Sequence, residues 1–543
     1  MDLIAGQFEV ASAPEGVLDN RSPADLSHSL GQVPFAAAQV ERAVAAARAA
    51  QRAWGLAPLA ERVAAVKRIG AALEASKEAL ARAIALDVGK PLWEARTEVA
   101  ASIAKAQVTA DEGLALVRGF VPGPQGPVPR DPAALSPRDP MAPAPPFEAL
   151  FRPLGVLAVL GPFNFPVHLP NGHILPALAT GNAVVFKPSE VAPHAAEVYA
   201  RAVESAGLPP GIFNVVQGDG RIGAALAAHP DVDGVLFTGS WSVGQAIEAA
   251  TRGQGKMLAL EMGGKNAALV LDDALDGPLL DKALYDILFS AFVSAGQRCT
   301  ATSRCIVQGP ASRADGFARR LAALARGLTV GHPLEDGVFM GPLASEAALR
   351  KFELGLEAAR SGGYPSGALP IYERHAARAQ IEEVLAARRL RPRGAGRDYD
   401  GCYISPAVHR VHLPAGSPYE REELFGPDLA VYSVASEEEA VALANATHYG
   451  LAASVHTADP ARFARCLAGL ACGVVNHNAP TVGASGRLPF GGLKRSGNHR
   501  PAALFSTLYC TAAVAVMRGE GRLDKARLAP GVSWSGETGP VQP

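Results

Sequence analysis

Cysteine is scarce in this chain. Its 543 residues include six, Cys299, Cys305, Cys402, Cys466, Cys472 and Cys510, and no C-x-x-C pair occurs. That usage points away from a disulfide framework and offers no zinc-ligand pattern, so no metal is expected. An excess of charge of either sign is also lacking: Lys plus Arg total 51 and Asp plus Glu total 52. The balance gives no electrostatic case for nucleic acid or an anionic membrane surface as partner. No apolar run reaches the roughly 20 residues that span a bilayer. The start, Met1-Asp2-Leu3-Ile4-Ala5-Gly6-Gln7-Phe8, has neither the basic stretch nor the long apolar core of a secretion signal. A soluble cytoplasmic protein is the expectation.

What is present is apolar content of 48%, enough for large buried cores. The length suggests about three or four domain-sized units. From about residue 36 to 118 the apolar spacing is helical, with Val40, Val44 and Ala47 on one face. Pro58 suits the first turn of a second helix carrying Val63, Val66, Ile69 and Leu73. Residues 121–146 are rich in Pro and Gly and read as an extended arm or loop. From Gly155 onward, short β-rich runs alternate with helical stretches. The runs are 156–160, 183–186, 213–216, 235–237 and 267–271, and the helices lie near 172–179, 192–206 and 220–228. This alternation predicts βαβ units and parallel sheets. Residues 364–400 break it, ending in a basic run, Arg388 to Arg393, that reads as a solvated face. Within this stretch Ala368-Leu369-Pro370-Ile371 can be encoded by a common sequencing-adapter tail, so it is either a real insertion or an assembly artefact.

Chemistry concentrates at a few strand ends. Ser294-Ala295-Gly296-Gln297-Arg298-Cys299-Thr300 places a thiol after small residues that let a substrate approach. A thiol needs help to ionise near neutral pH, and alone Cys299 reads equally as a buried, inert cysteine. Glu261 ends an apolar run and precedes Met262-Gly263-Gly264, where glycines leave a carboxylate room to move as a general base. Asn164, in Gly161-Pro162-Phe163-Asn164-Phe165-Pro166, is placed to donate to an oxyanion together with the backbone N–H of Cys299, or is an ordinary turn asparagine. Thr238-Gly239-Ser240-Trp241-Ser242-Val243-Gly244 follows a strand and opens a helix, which suits a phosphate. It does not match G-x-G-x-x-G, so the usual dinucleotide fingerprint is expected to be absent. Lys187 and Glu190 end another strand and suit ribose hydroxyls; the carboxylate favours NAD over NADP.

Taken together and in this order, these pieces resemble the aldehyde dehydrogenase superfamily. Glu422-Glu423-Leu424-Phe425-Gly426-Pro427 and Pro489-Phe490-Gly491-Gly492-Leu493-Lys494-Arg495-Ser496-Gly497 extend the likeness over nearly the whole chain. The resemblance implies an α/β fold of two parallel-sheet domains, NAD-binding and catalytic, plus a small β-arm for oligomerisation into a homodimer or homotetramer. It implies Cys299 as nucleophile, Glu261 as base and Asn164 as oxyanion donor. NAD would be held by Lys187, Glu190, Gly239, Ser240 and Gly244, and by Glu423 and Phe425 on the nicotinamide side. The corresponding boundaries are 1–120 and 151–261 for the NAD-binding domain and 262–483 for the catalytic domain, with 364–400 inserted. Residues 121–150 and 484–515 would form the arm, and 516–543 a tail. Within the superfamily, His168-Leu169-Pro170-Asn171-Gly172-His173-Ile174 and Ser496-Gly497-Asn498-His499-Arg500-Pro501 are similar to the branch acting on N-succinylglutamate 5-semialdehyde in arginine catabolism. His168, His499 and Arg500 are then candidates for binding an acidic aldehyde. Val167 replaces the glycine usual in that branch, which implies a narrower pocket mouth. Three other readings stand beside this one: an aldehyde dehydrogenase of different substrate range, acyl transfer to coenzyme A, which needs no water-activating base, and a non-catalytic scaffold of the same fold.

Overall fold

The computed structural model of the protein describes residues 1–129, 146–361, 380–394, 396–414, 417–519 and 521–534. Residues 1–117 and 152–512 form one compact unit; residues 118–151 and 513–543 form a second. Two seven-stranded sheets organise the first unit.

The first sheet has the strand order Met257–Glu261, Gly234–Thr238, Val156–Leu160, Ala183–Lys187, Phe213–Val215, Asp2–Ile4, Gln7–Glu9. The first five run parallel and the last two close the edge antiparallel. Val156–Leu160 and Ala183–Lys187 are buried along their whole length. Such strands are covered on both faces, which is why they read as unbroken apolar runs rather than alternating ones. Each fully buried Val or Leu contributes about 1.5–3 kcal/mol. Helices Leu59–Ala75, Lys77–Val88 and Leu92–Asp111 pack around this layer, with Val66, Ile69, Leu73, Leu80 and Val99 buried. The predicted helical stretches are present as His168–Ala179, Pro193–Ser205 and Gly220–Ala228. Pro58 caps its helix from just outside instead of starting it. The two N-terminal strands are short and carry no alternating pattern that would announce them.

The second sheet runs Gln380–Leu385, Ala407–Leu413, Asp428–Val434, Thr302–Gln308, Asn266–Val270, Ala452–His456, Val474–His477. It is parallel except for Gln380–Leu385, which pairs antiparallel with Ala407–Leu413. That strand falls within the stretch expected to be an insertion. Its Glu382 and Glu383 and the neighbouring arginines disguise an edge strand, since edges carry charge to discourage further pairing. Within the basic run Arg389 forms an exposed pair with Glu353, and Arg391 is 75% exposed. Ala368–Ile371 and Pro143–Pro145 lie outside the described residues.

Phe120–Gly123, Gly126–Pro129, Phe147–Pro153 and Thr511–Met517 form a four-stranded sheet, most of it in the second unit, with Thr511–Met517 at one edge. The expected arm boundaries shift accordingly. Residues 484–512 belong to the first unit because they are fastened to it. The N–H of Met262 donates to the Ser496 carbonyl at 3.0 Å, Asn498 binds the strand Met257–Glu261, and Ser506 and Tyr509 are buried. The strand through Met517 likewise replaces the start of the expected tail. Among the described residues no helix is long and apolar enough to cross a membrane.

Candidate active site

Parallel strands leave a crevice beyond their carboxyl ends, and ligands of open α/β sheets bind there. In the first sheet those ends carry Gly161 to Asn164, Lys187, Ser189, Glu190, Gly239-Ser240 and Met262-Gly263. All of these line one cleft of about 550 Å³, together with Cys299, Glu423 and Phe425 from the second-sheet region.

At one end of the cleft, Lys187 is buried and its Nζ lies 3.0 Å from Oε2 of the half-exposed Glu190. Ser240 caps the helix Trp241–Thr251, its Oγ accepting from the Val243 N–H. Gly239 has no side chain because a Cβ there would meet the Phe237 ring at 2.4 Å. Gly244 serves packing: a Cβ would lie 2.4 Å from Met262 Sδ, and the residue is not among those lining the cleft. One element escaped the sequence reading. Gly218-Asp219-Gly220-Arg221-Ile222-Gly223 matches G-x-G-x-x-G, follows the strand Phe213–Val215 and opens the helix Gly220–Ala228. Gly220 and Gly223 line the cleft. The fingerprint expected to be absent is therefore present, one strand earlier than where it was sought.

Cys299 follows a tight reversal after the helix Gly277–Phe292. Ser294, Ala295 and Gly296 are left-handed in succession, with φ of 56°, 52° and 69°. Only the glycine is at ease there; the other two cost of order 1–2 kcal/mol each and need neighbours to hold them. A Cβ at Gly296 would meet the Gly426 carbonyl at 2.2 Å. Asn266 Nδ2 donates to the Cys299 carbonyl at 2.7 Å and to that of Ala301 at 2.9 Å. Burial pushes the thiol up to about 12, with the carboxylates of Glu423 and Glu261 adding to the shift.

Asn164 is buried, and its Nδ2 donates to the Gln297 carbonyl at 2.9 Å. One amide hydrogen thus fixes the plane and the second is left for a ligand oxygen in the cleft. On the nicotinamide side expected from sequence, Glu423 Oε1 accepts the Gly264 N–H at 2.9 Å. A Cβ at Gly263 would lie 2.1 Å from Glu423 Oε2, so the Gly263-Gly264 pair makes room for this carboxylate. Burial raises Glu423 to about 7. Phe425 (φ 56°) and Phe163 meet edge to face at 5.8 Å across the cleft wall.

Glu261 is 5% exposed, and among the described residues its Oε2 has no hydrogen-bond partner. Burial holds its pKa well above the ordinary value, opposed by the Ala502 N–H. Its strand is clamped from outside: Asn498 accepts from the Leu260 N–H at 3.0 Å and donates to the Leu258 carbonyl at 2.9 Å. This fixes the neighbouring segment so that His499 and Arg500 are exposed and take no part in the cleft. His168 sits outside the cleft lining as well, as does Glu261. The His168 Nδ1 is buried without a partner among the described residues, and burial lowers the pKa of this imidazole to about 4. Val167 is wholly buried at the start of the helix His168–Ala179, so it narrows no mouth of this cleft.

A sequence model of the aldehyde dehydrogenase family matches residues 10–366 and 373–513, leaving out only the run around Ala368–Ile371 between them. N-succinylglutamate 5-semialdehyde dehydrogenase of Escherichia coli strain K12 is 38% identical over 504 residues, 92% of each chain. An aldehyde dehydrogenase of Pseudomonas syringae, solved as a mutant with NAD+ and octanal, superposes with a TM-score of 0.82 at 29% identity, covering 95% of this chain and 96% of that one. Betaine aldehyde dehydrogenase of Staphylococcus aureus with NAD+ gives a TM-score of 0.83 at 26% identity, covering 97% and 96%.

Proposed function

The chain belongs to the aldehyde dehydrogenase family, and from that premise we propose that it oxidises N-succinylglutamate 5-semialdehyde to N-succinylglutamate, with NAD as hydride acceptor, in arginine catabolism. The observation that carries the reading is the meeting of a thiol, a side-chain amide and a dinucleotide-shaped set of donors in one cleft. The residues fit NAD. Lys187 and Glu190 suit the adenosine ribose, and the N-termini of Gly220–Ala228 and Trp241–Thr251 suit a pyrophosphate. Glu423 and Phe425 suit the nicotinamide ribose and ring. When bound, NAD supplies the hydride acceptor and a positive charge near the sulfur.

The Cys299 thiolate, its proton lost to solvent, attacks the aldehyde carbon. Asn164 Nδ2 and the Cys299 N–H hold the oxyanion of the thiohemiacetal. After hydride loss a thioester remains on Cys299. Glu261 takes a proton from water as its oxygen attacks that thioester, and the acid leaves with Cys299 restored as thiolate. Desolvation of Glu261 suits this role, because burial raises its pKa well above the ordinary value and so makes its carboxylate the stronger base. The substrate rests on the 38%-identical relative, whose name gives its aldehyde. Assembly into a homodimer or homotetramer through the arm is supported by the edge strand Thr511–Met517, where Met517 is 79% exposed.

NADH formation over a panel of aldehydes tests the reading. The highest kcat/KM is expected for N-succinylglutamate 5-semialdehyde, without coenzyme A. Equal turnover of unrelated aldehydes would remove the substrate assignment; an absolute need for coenzyme A would remove the hydrolytic mechanism. A scaffold without catalysis would give no NADH from any aldehyde.

A further inference from the structure

One helix reaches under both halves of the site. Leu92–Asp111 places Glu94 and Glu98 one turn apart on a buried face, with side chains 1% and 0% exposed. Isolated carboxylates at such depth cost several kcal/mol each unless paired and hydrogen-bonded. Both are paired, each to a different part of the machinery.

Glu94 binds the reversal before the thiol. It accepts the Ser294 N–H at 3.1 Å and the Ser294 hydroxyl, and Arg298 Nη2 lies 2.7 Å away. Arg298 Nε returns to Ser294 Oγ at 2.8 Å, which closes the ring of contacts. Burial opposes the charge, yet Arg298, Lys90 and Ser294 together hold the Glu94 carboxyl below its ordinary pKa. Glu98 binds the other half. Its Oε2 lies 2.5 Å from Lys90 Nζ, which also donates to the Asn164 carbonyl at 2.7 Å. Its Oε1 accepts the N–H groups of Val167 and His168 at 3.0 and 3.1 Å. Lys90 sits 3.8 Å over the Phe165 ring and Arg298 5.0 Å from it, so both cations contact that ring. Asn164 Nδ2 on the Gln297 carbonyl links the halves.

We propose that Glu94 and the Lys90–Glu98 pair are positioning residues for the aldehyde reaction, Glu94 setting the Cys299 sulfur and Lys90–Glu98 setting the Asn164 amide. This rests on the assignment of Cys299 and Asn164 above. The two arms differ in what they control. Ser294 and Ala295 have a conformation that their side chains disfavour, so loss of Glu94 lets the turn relax and moves the sulfur. Loss of Lys90 frees the Asn164 backbone and the start of His168–Ala179, while Ser294 and Arg298 still hold Glu94 on the turn.

The experiment compares two reactions of the same sulfur. Aldehyde oxidation needs the oxyanion donor; alkylation by iodoacetamide forms no oxyanion. Glu94→Gln is expected to lower both the NADH burst rate and the alkylation rate, the former by up to about 100-fold, as for a displacement of order 1 Å. Glu98→Gln, or Lys90→Met with Glu98→Gln where the single change leaves a buried charge, is expected to lower the burst rate alone, alongside Asn164→Ala. NAD affinity within about twofold of the parent and an unchanged KM separate positioning from general unfolding. Arg298→Gln combined with Glu94→Gln should cost little more than either alone, because the two act as one unit. Parental burst and alkylation rates in soluble, NAD-binding Glu94→Gln and Glu98→Gln proteins would overturn the proposal. Cys299→Ser is the separate control: if it retains aldehyde oxidation, the nucleophile assignment itself fails.

Discussion

The proposed nucleophile and the proposed base are held in opposite ways. Cys299 stands at the end of a reversal pinned by Glu94, Arg298, Asn266 and Gly296, each contact leaving the backbone a single path. Glu261 has a fixed strand behind it, and its Oε2 has no partner among the described residues. A group that must attack along one line gains from rigidity, since effective concentration falls quickly with misplacement. A base that must wait until the thioester has formed gains from being able to move. The strain stored in Ser294 and Ala295 thus sits where precision matters, and the unsatisfied oxygen sits where motion does.

The comparison can be broken at several points. The largest effect is expected for Cys299→Ala, which should lower turnover by about 10⁴-fold or more and leave NAD binding intact, as read by NADH formation and by titration. Activity near the parent's would remove the rigid half altogether. Next comes pH. With the thiol at about 12, its reactive form grows about tenfold per pH unit below that value. Alkylation of the cofactor-free enzyme should therefore climb steadily from pH 7 to pH 10, and Glu423→Gln should raise the rate at pH 8 by removing a neighbouring negative charge. A plateau near pH 7 would show that the thiol is already ionised.

Smaller effects probe the supports. Gly263→Ala forces a Cβ onto Glu423 Oε2 and should weaken NAD binding by about tenfold with little loss of alkylation rate, an overpacking cost of roughly 1–3 kcal/mol. Asn498→Ala leaves the Leu260 N–H and the Leu258 carbonyl without their partners and should lower stability by about 1–3 kcal/mol. It should also slow thioester hydrolysis more than its formation, because it loosens only the strand that carries Glu261.

Much of this was legible in the chain. The buried strands at 156–160 and 183–187 announce themselves because parallel strands covered on both faces are apolar throughout. Cys299, Glu261 and Asn164 stood out because each follows or precedes a sheet element and small residues surround them. Other features were hidden. The edge strand Gln380–Leu385 carries Glu382 and Glu383 and shows no clear alternation. Gly218 to Gly223 fits the spacing, but the strand before it, Phe213–Val215, is only three residues long and gives a weak strand signal. The links from Glu94 and Glu98 to the site span about 70 to 200 positions in sequence, and no local pattern reveals them. His499 and Arg500 looked apt for an acidic substrate by charge alone; the clamp of Asn498 decides their direction and turns them to solvent.

The most direct test of the central contrast is the pre-steady-state course of Glu261→Gln with aldehyde and NAD. If the nucleophile is fixed and the base acts only afterwards, the variant gives an NADH burst of parental rate and amplitude near one per site, followed by a steady rate lowered by about 10²–10⁴-fold. A burst that is absent, or slowed in step with the steady rate, would contradict it by placing Glu261 in the attack itself.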